Sequence, residues 1–230
     1  YHSVEYFPDS ALDLKFVSFV SGAFIFLAGF VVTSIYLKKY DARTQGWEIF
    51  RRLAVRGLKL LLIAAVLNLV IHGLLGPGGW RATGSVGALF YNMLTGADYH
   101  AASFILLVII AYCLIATGFL VAISKGRPAI LIGSAVVFIA YALISNHFHW
   151  LYDYDVRLFA IGQLGVAFGL MNREQIARIS ANLEAIILVF FVQLLLMVVL
   201  PTGYWLYLIN LLCTVLLAYS VASKFNDQSI

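Results

Sequence analysis

The sequence predicts an all-α fold, a polytopic transmembrane bundle of about seven spans, and three observations carry that reading. Apolar residues make up 63% and charged residues 11%, against roughly 25% charged in soluble domains. The mean hydropathy of +0.95 is too high for a water-exposed surface. Seven stretches come close to the about 20 apolar residues that a helix needs to cross the hydrocarbon core. All four prolines, Pro8, Pro77, Pro128 and Pro201, fall in connections or at a helix start, where a missing amide hydrogen costs little. A β-barrel is excluded because barrel strands alternate apolar and polar residues, whereas Phe104 to Ile115 and Ala185 to Leu200 are apolar on nearly every face.

The spans are expected over residues 16–37, 58–76, 101–123, 128–146, 157–172, 181–200 and 203–222. The opening segment, Tyr1 to Leu14, has no charged leader followed by a short apolar core, so it does not read as a signal peptide. One further helix is expected upstream, entering from the cytoplasm and ending near Tyr1, with residues 1–230 forming a single transmembrane domain. Between the first two spans, Trp47, Phe50, Leu53 and Ala54 share a helical face beside Arg51, Arg52 and Arg56. That amphipathic segment is expected to lie in the membrane interface before the chain turns into the second span. Residues 76–100 are too long for a turn and hold an apolar patch from Val86 to Leu94, too short to span. It suits either a surface helix or a re-entrant element roofing a cavity. The fifth span carries Asp155 and Arg157 at its outer end and Gln163 in its middle, so it is expected to be short or packed inside the bundle.

Basic residues are retained on the cytoplasmic side of membranes. Alternating loops place twelve bases and five acids together, leaving Lys15, Arg81 and Arg157 opposite with six acids. The carboxyl terminus is then cytoplasmic, and a bacterial cytoplasmic membrane is the expected location. The net charge of +4 is mostly topology and gives no reason to expect nucleic acid as a partner; the partner implied is the lipid bilayer. All five histidines, His2, His72, His100, His147 and His149, fall on the outer side.

Within the spans, Asn68, Gln163, Gln193 and Asn210 are expected to hydrogen-bond between helices, and Cys113 and Cys213 to be buried free thiols. Glu184 is expected to pair with Arg178 or reach the surface. His147 and His149 stand two apart near Asp153 and Asp155, but that is not one-face helical spacing and no third ligand is fixed. No metal and no tightly bound cofactor is expected.

Two segments resemble a known group. PheValSerGlyAlaPheIlePheLeuAlaGlyPheValVal (19–32), a basic linker and then PheArgArgLeuAlaValArgGlyLeuLysLeuLeu (50–61) resemble the integral-membrane acyltransferases, both the acyltransferase-3 and the heparan-α-glucosaminide N-acetyltransferase-like groups. TyrHisSerValGluTyrPhe (1–7) looks like the tail of the helix that precedes them there. The resemblance covers about residues 1–75. It departs at Arg52 and Arg56, which have three residues between them where the acyltransferase-3 pattern usually has two.

That resemblance implies transfer of an acetyl or other short acyl group from a cytoplasmic acyl-coenzyme A donor to a hydroxyl or amine of an outer glycan. His2 is then the general base, since imidazole titrates near neutral pH, and Glu5, three residues on, can orient it. Arg51, Arg52 and Arg56 would hold donor phosphates, which Arg forks suit better than Lys. His72 and His100, which flank the long outer loop, would line the acceptor cleft with Arg81 and Asp98. Two other classes compete. A transporter or flippase would use intramembrane polar groups to bind a substrate, and a non-catalytic scaffold would need none of the histidines. An arginine about a dozen residues upstream of His2 would favour the acyltransferase. Oligomeric state is not legible.

Overall fold

The computed structural model describes residues 19–71, 85–95, 104–148, 153–171, 173–199 and 204–227, and every regular element among them is helical. In chain order these are α1 (Phe19–Val31), a π-helical turn (Val32–Tyr36), α2 (Leu37–Lys39), α3 (Ala42–Asn68), α4 (Val86–Thr95) and α5 (Ile105–Ser124). There follow α6 (Pro128–Phe148), α7 (Asp153–Gly169), α8 (Arg173–Ser180), α9 (Leu183–Val199) and α10 (Tyr204–Asp227).

The described part of each of the seven apolar stretches is largely helical. Three helical segments, Ser21–Lys39, Ala42–Ile71 and Ile105–Ser124, are long and apolar enough to cross a membrane, while Pro128–Ile144, Leu183–Leu196 and Tyr204–Ser220 are shorter apolar helices. At 1.5 Å per residue α5 is about 30 Å long, the thickness of a hydrocarbon core. Leu62 and Leu195 are 65% and 68% exposed. Continuous apolar faces of this kind suit lipid rather than water.

The chain divides into two compact units, Ile25–Leu170 and a second made of Tyr1–Phe24 with Met171–Ile230. In the first, α3 lies antiparallel along α5, and small residues set the approach. Gly46 faces Ala122, Gly118 faces Leu53, and Gly57 faces Ala111 and Ile115. Helix α7 packs on α5, on α6 and on the π-helical turn. It also crosses the Ile25–Val31 part of α1 almost backbone to backbone. A Cβ on Gly29 would meet the Gly162 carbonyl, one on Gly165 the Phe26 carbonyl, and one on Gly169 the Thr33 hydroxyl. Small residues at such crossings are the usual means of bringing membrane helices together. The Thr33 hydroxyl donates to the Val166 carbonyl at 2.9 Å, fastening the π-helical turn to α7. Val32, Ile49, Leu53, Val121, Leu131 and Val166 form the buried centre of this unit. Helix α5 ends on Lys125 and Gly126, both at positive φ (52° and 70°), and the Gly126 N–H donates to the Val121 carbonyl at 3.1 Å before Pro128 opens α6.

In the second unit α10 packs against α8 and α9, and the Gly22 backbone N–H donates to the Tyr207 hydroxyl at 3.0 Å.

Two expectations are corrected. The 47–56 segment is not a separate interfacial helix: it runs unbroken into the second apolar stretch, and the break lies earlier, at Gln45. The reason is packing. Ile49 and Leu53 are buried, and Gly57 lets the helix continue flush against α5. Trp47 is left exposed, edge-on to Phe50 and Phe119. Nor does Asn68 bond between helices; its amide donates to the Ala64 carbonyl of its own helix at 2.9 Å. Gln163 does reach across, donating to the Thr117 hydroxyl of α5 at 3.2 Å. That bond satisfies the NH2 side of a fully buried amide. Cys113 and Cys213 are free and buried. The apolar patch after the second span is helix α4, and Leu94 near its end lines a cavity.

Candidate functional site

The chain reverses direction between α2 and α3 at Tyr40, whose backbone is extended (φ −123°, ψ 135°). Asp41 then caps α3: its carboxylate accepts from the Arg43 N–H at 3.0 Å and from the Thr44 hydroxyl at 3.1 Å. This hairpin sets Tyr40 against Arg52 and Tyr36 against Arg56 of α3. On α3 itself Glu48, Arg52 and Arg56 recur every four residues and so share one face.

The result is a basic cleft of about 720 Å3, lined by the π-helical turn, Lys39 and Tyr40 on one side and by α3 on the other. Five cations, Lys39, Arg51, Arg52, Arg56 and Lys59, face one carboxylate, Glu48, with Val31, Ile35 and Val55 supplying apolar wall. Glu48 holds both neighbouring guanidiniums, Arg52 Nε at 2.8 Å and Arg51 Nη2 at 3.0 Å. Arg52 also donates to the Tyr40 hydroxyl at 2.6 Å. Arg56 lies over the Tyr36 ring, 5.3 Å from its centre, and Lys39 over that of Tyr40 at 5.7 Å. No carboxylate pairs with Arg56 or Lys59 among the described residues. One carboxylate therefore orients two arginines while most of the positive charge stays uncompensated, an arrangement that attracts a multiply charged anion.

The structure thus brings together Arg51, Arg52 and Arg56 in one cleft. The spacing of Arg52 and Arg56 that departs from the acyltransferase-3 pattern is one helical turn, which puts both guanidiniums on the same side. Lys39 and Lys59, which count among the twelve bases of the cytoplasmic side, and Tyr36 and Tyr40 join them there. The four-residue spacing of the two tyrosines, matched by Arg52 and Arg56, was the available signal. His2, Glu5, His72, Arg81, Asp98, His100 and His149 lie outside the described residues, and His147 falls in the last turn of α6.

Comparison with protein-family models, with curated proteins and with solved structures returns no match.

Proposed function

We propose that this protein is an integral-membrane acyltransferase that takes an acetyl or other short acyl group from a cytoplasmic coenzyme A thioester and delivers it to a hydroxyl or amine of a glycan on the outer side. The observation that carries this reading is the basic cleft, where Arg51, Arg52 and Arg56 line one cavity with two tyrosine rings. Its volume suits a drug-sized or cofactor-sized ligand. Uncompensated Arg56 and Lys59 would meet donor phosphates, with Val31, Ile35 and Val55 as apolar wall beside them. In the transfer the acceptor gives its proton to His2, oriented by Glu5, the new bond forms at the acyl carbon, and the carbon–sulfur bond breaks to release the thiolate. His72, Arg81, Asp98 and His100 would bind the acceptor.

The test is acetyl-coenzyme A binding and turnover by the protein in lipid nanodiscs. Arg52→Ala and Arg56→Ala should each weaken donor binding by about 1.5 to 3 kcal/mol, the worth of a charge-assisted hydrogen bond. His2→Ala should keep donor binding and lose turnover by about 10² to 10⁴-fold. A folded Arg52→Ala, Arg56→Ala double variant that binds donor as the wild type does would reduce the cleft to a topology signal.

A further inference from the structure

We propose that a second cavity, at the N-terminal end of α5, binds a small apolar amine whose ammonium is held by Asp155. This cavity, about 270 Å3, lies between α4, α5, α6 and α7, with Ile109, Tyr112, Phe138, Asp155, Val156 and Phe159 in its wall. It belongs to the same unit as the basic cleft but to the other end of α5. The cleft-bearing half of α3 packs on Ala122 and Gly118, whereas this cavity draws on Ile105 to Tyr112. The inference does not rest on the acyltransferase reading.

Three features define the ligand. The volume falls just under the about 300 to 1,000 Å3 of drug-sized pockets, so the occupant is small. The wall is apolar and aromatic: Phe138 and Phe159 meet edge to face with ring centres 4.8 Å apart. The Tyr112 hydroxyl is committed to the Leu94 carbonyl at 2.9 Å, which ties α4 to α5 and leaves the ring as wall. Asp155 is the one charged residue in that wall among the described residues. Among the described residues no cation pairs with it, and burial alone pushes its carboxyl up to about 6. It sits before the apolar run of α7, so it is placed where a ligand's charged head would stop while its body enters the cavity.

A carboxylate in an apolar wall is costly until a cation compensates it. Aromatic faces around a carboxylate favour an ammonium over a neutral head of equal size. An alcohol of the same shape gains the apolar contacts and a hydrogen bond to the carboxylate but no ionic attraction, and a carboxylic acid would add like charge.

The experiment is fluorine NMR on the protein in phosphatidylglycerol nanodiscs, which bring no ammonium of their own, with empty nanodiscs as reference. The probes are 2-[4-(trifluoromethyl)phenyl]ethylamine and the matched alcohol. Wild type should bind the amine saturably and about tenfold or more tighter than the alcohol, the difference one charge-assisted contact makes. Asp155→Asn should remove that preference by weakening the amine much more than the alcohol, and Ile109→Trp, which fills the cavity, should abolish saturable binding of both. Equal binding of amine and alcohol to the wild type would overturn the proposal and leave an acyl-chain crevice. A preference that survives Asp155→Asn would overturn it too.

Discussion

Asp155 and Gln163 are polar residues on one helix with different solutions to burial. Gln163 is fully buried and gives its amide hydrogen to Thr117, although its carbonyl oxygen has no partner. Asp155 keeps a carboxyl in an apolar wall, and burial raises it to about 6. Among the described residues the other titratable groups lining that cavity are the phenols of Tyr112 and Tyr141. Because the folded protein holds this proton more tightly than the unfolded chain does, the associated stability is complete below the ordinary aspartate range near 4. It is lost as pH rises through about 6. Asp155→Asn, which cannot ionise, should therefore raise the thermal midpoint more at pH 7.5 than at pH 4. Equal gains at the two pH values would mean that the carboxyl is not buried as described.

At the scale of elements, the contact between α1 and α7 depends on absent side chains. Gly29, Gly165 and Gly169 leave no room for a Cβ without moving backbone or the Thr33 hydroxyl, and a Cβ on Gly162 would meet the Cys113 sulfur and the Ile25 side chain. Gly133 on α6 has nothing within 4 Å of an added Cβ. Gly29→Ala should thus part the two helices and cost about 1 to 3 kcal/mol, the range for overpacking a close contact. Gly133→Ala should be neutral or slightly stabilising, because Ala is the better helix former. Thermal unfolding of both variants in one detergent decides it, and a harmless Gly29→Ala would rule out the close crossing. The same contact supports the basic cleft, since the Thr33 to Val166 bond fixes the π-helical turn that carries Tyr36.

For the whole molecule, the orientation inferred from twelve of fifteen bases on one side makes a direct forecast. With Cys113 and Cys213 replaced by Ser, a cysteine at Gly79 should react with an impermeant thiol reagent added outside intact cells. One at Lys39 should react only after the membrane is opened. Reversed labelling would put the basic cleft on the outer face and remove the cytoplasmic donor from the proposal.

What the sequence determined by itself is the helical character and the position of the long apolar helices. Hydrocarbon demands runs such as 105–124 that satisfy every backbone polar group internally, and such runs are visible one residue at a time. It also determined that Arg52 and Arg56 share a face, because helical spacing is local. That Tyr36, Tyr40, Lys39 and Lys59 join those arginines around one cavity is a property of the folded chain, since it depends on how the hairpin at Tyr40 folds α2 back on α3. The tertiary structure alone decided that α3 continues straight through residues 47–56, where contact with α5 along Gly46, Leu53 and Gly57 outweighs the local amphipathic pattern. The pairing of Asp155 with an aromatic cavity was equally out of reach, because residues from 94 to 159 on four helices meet there and no local spacing encodes the meeting.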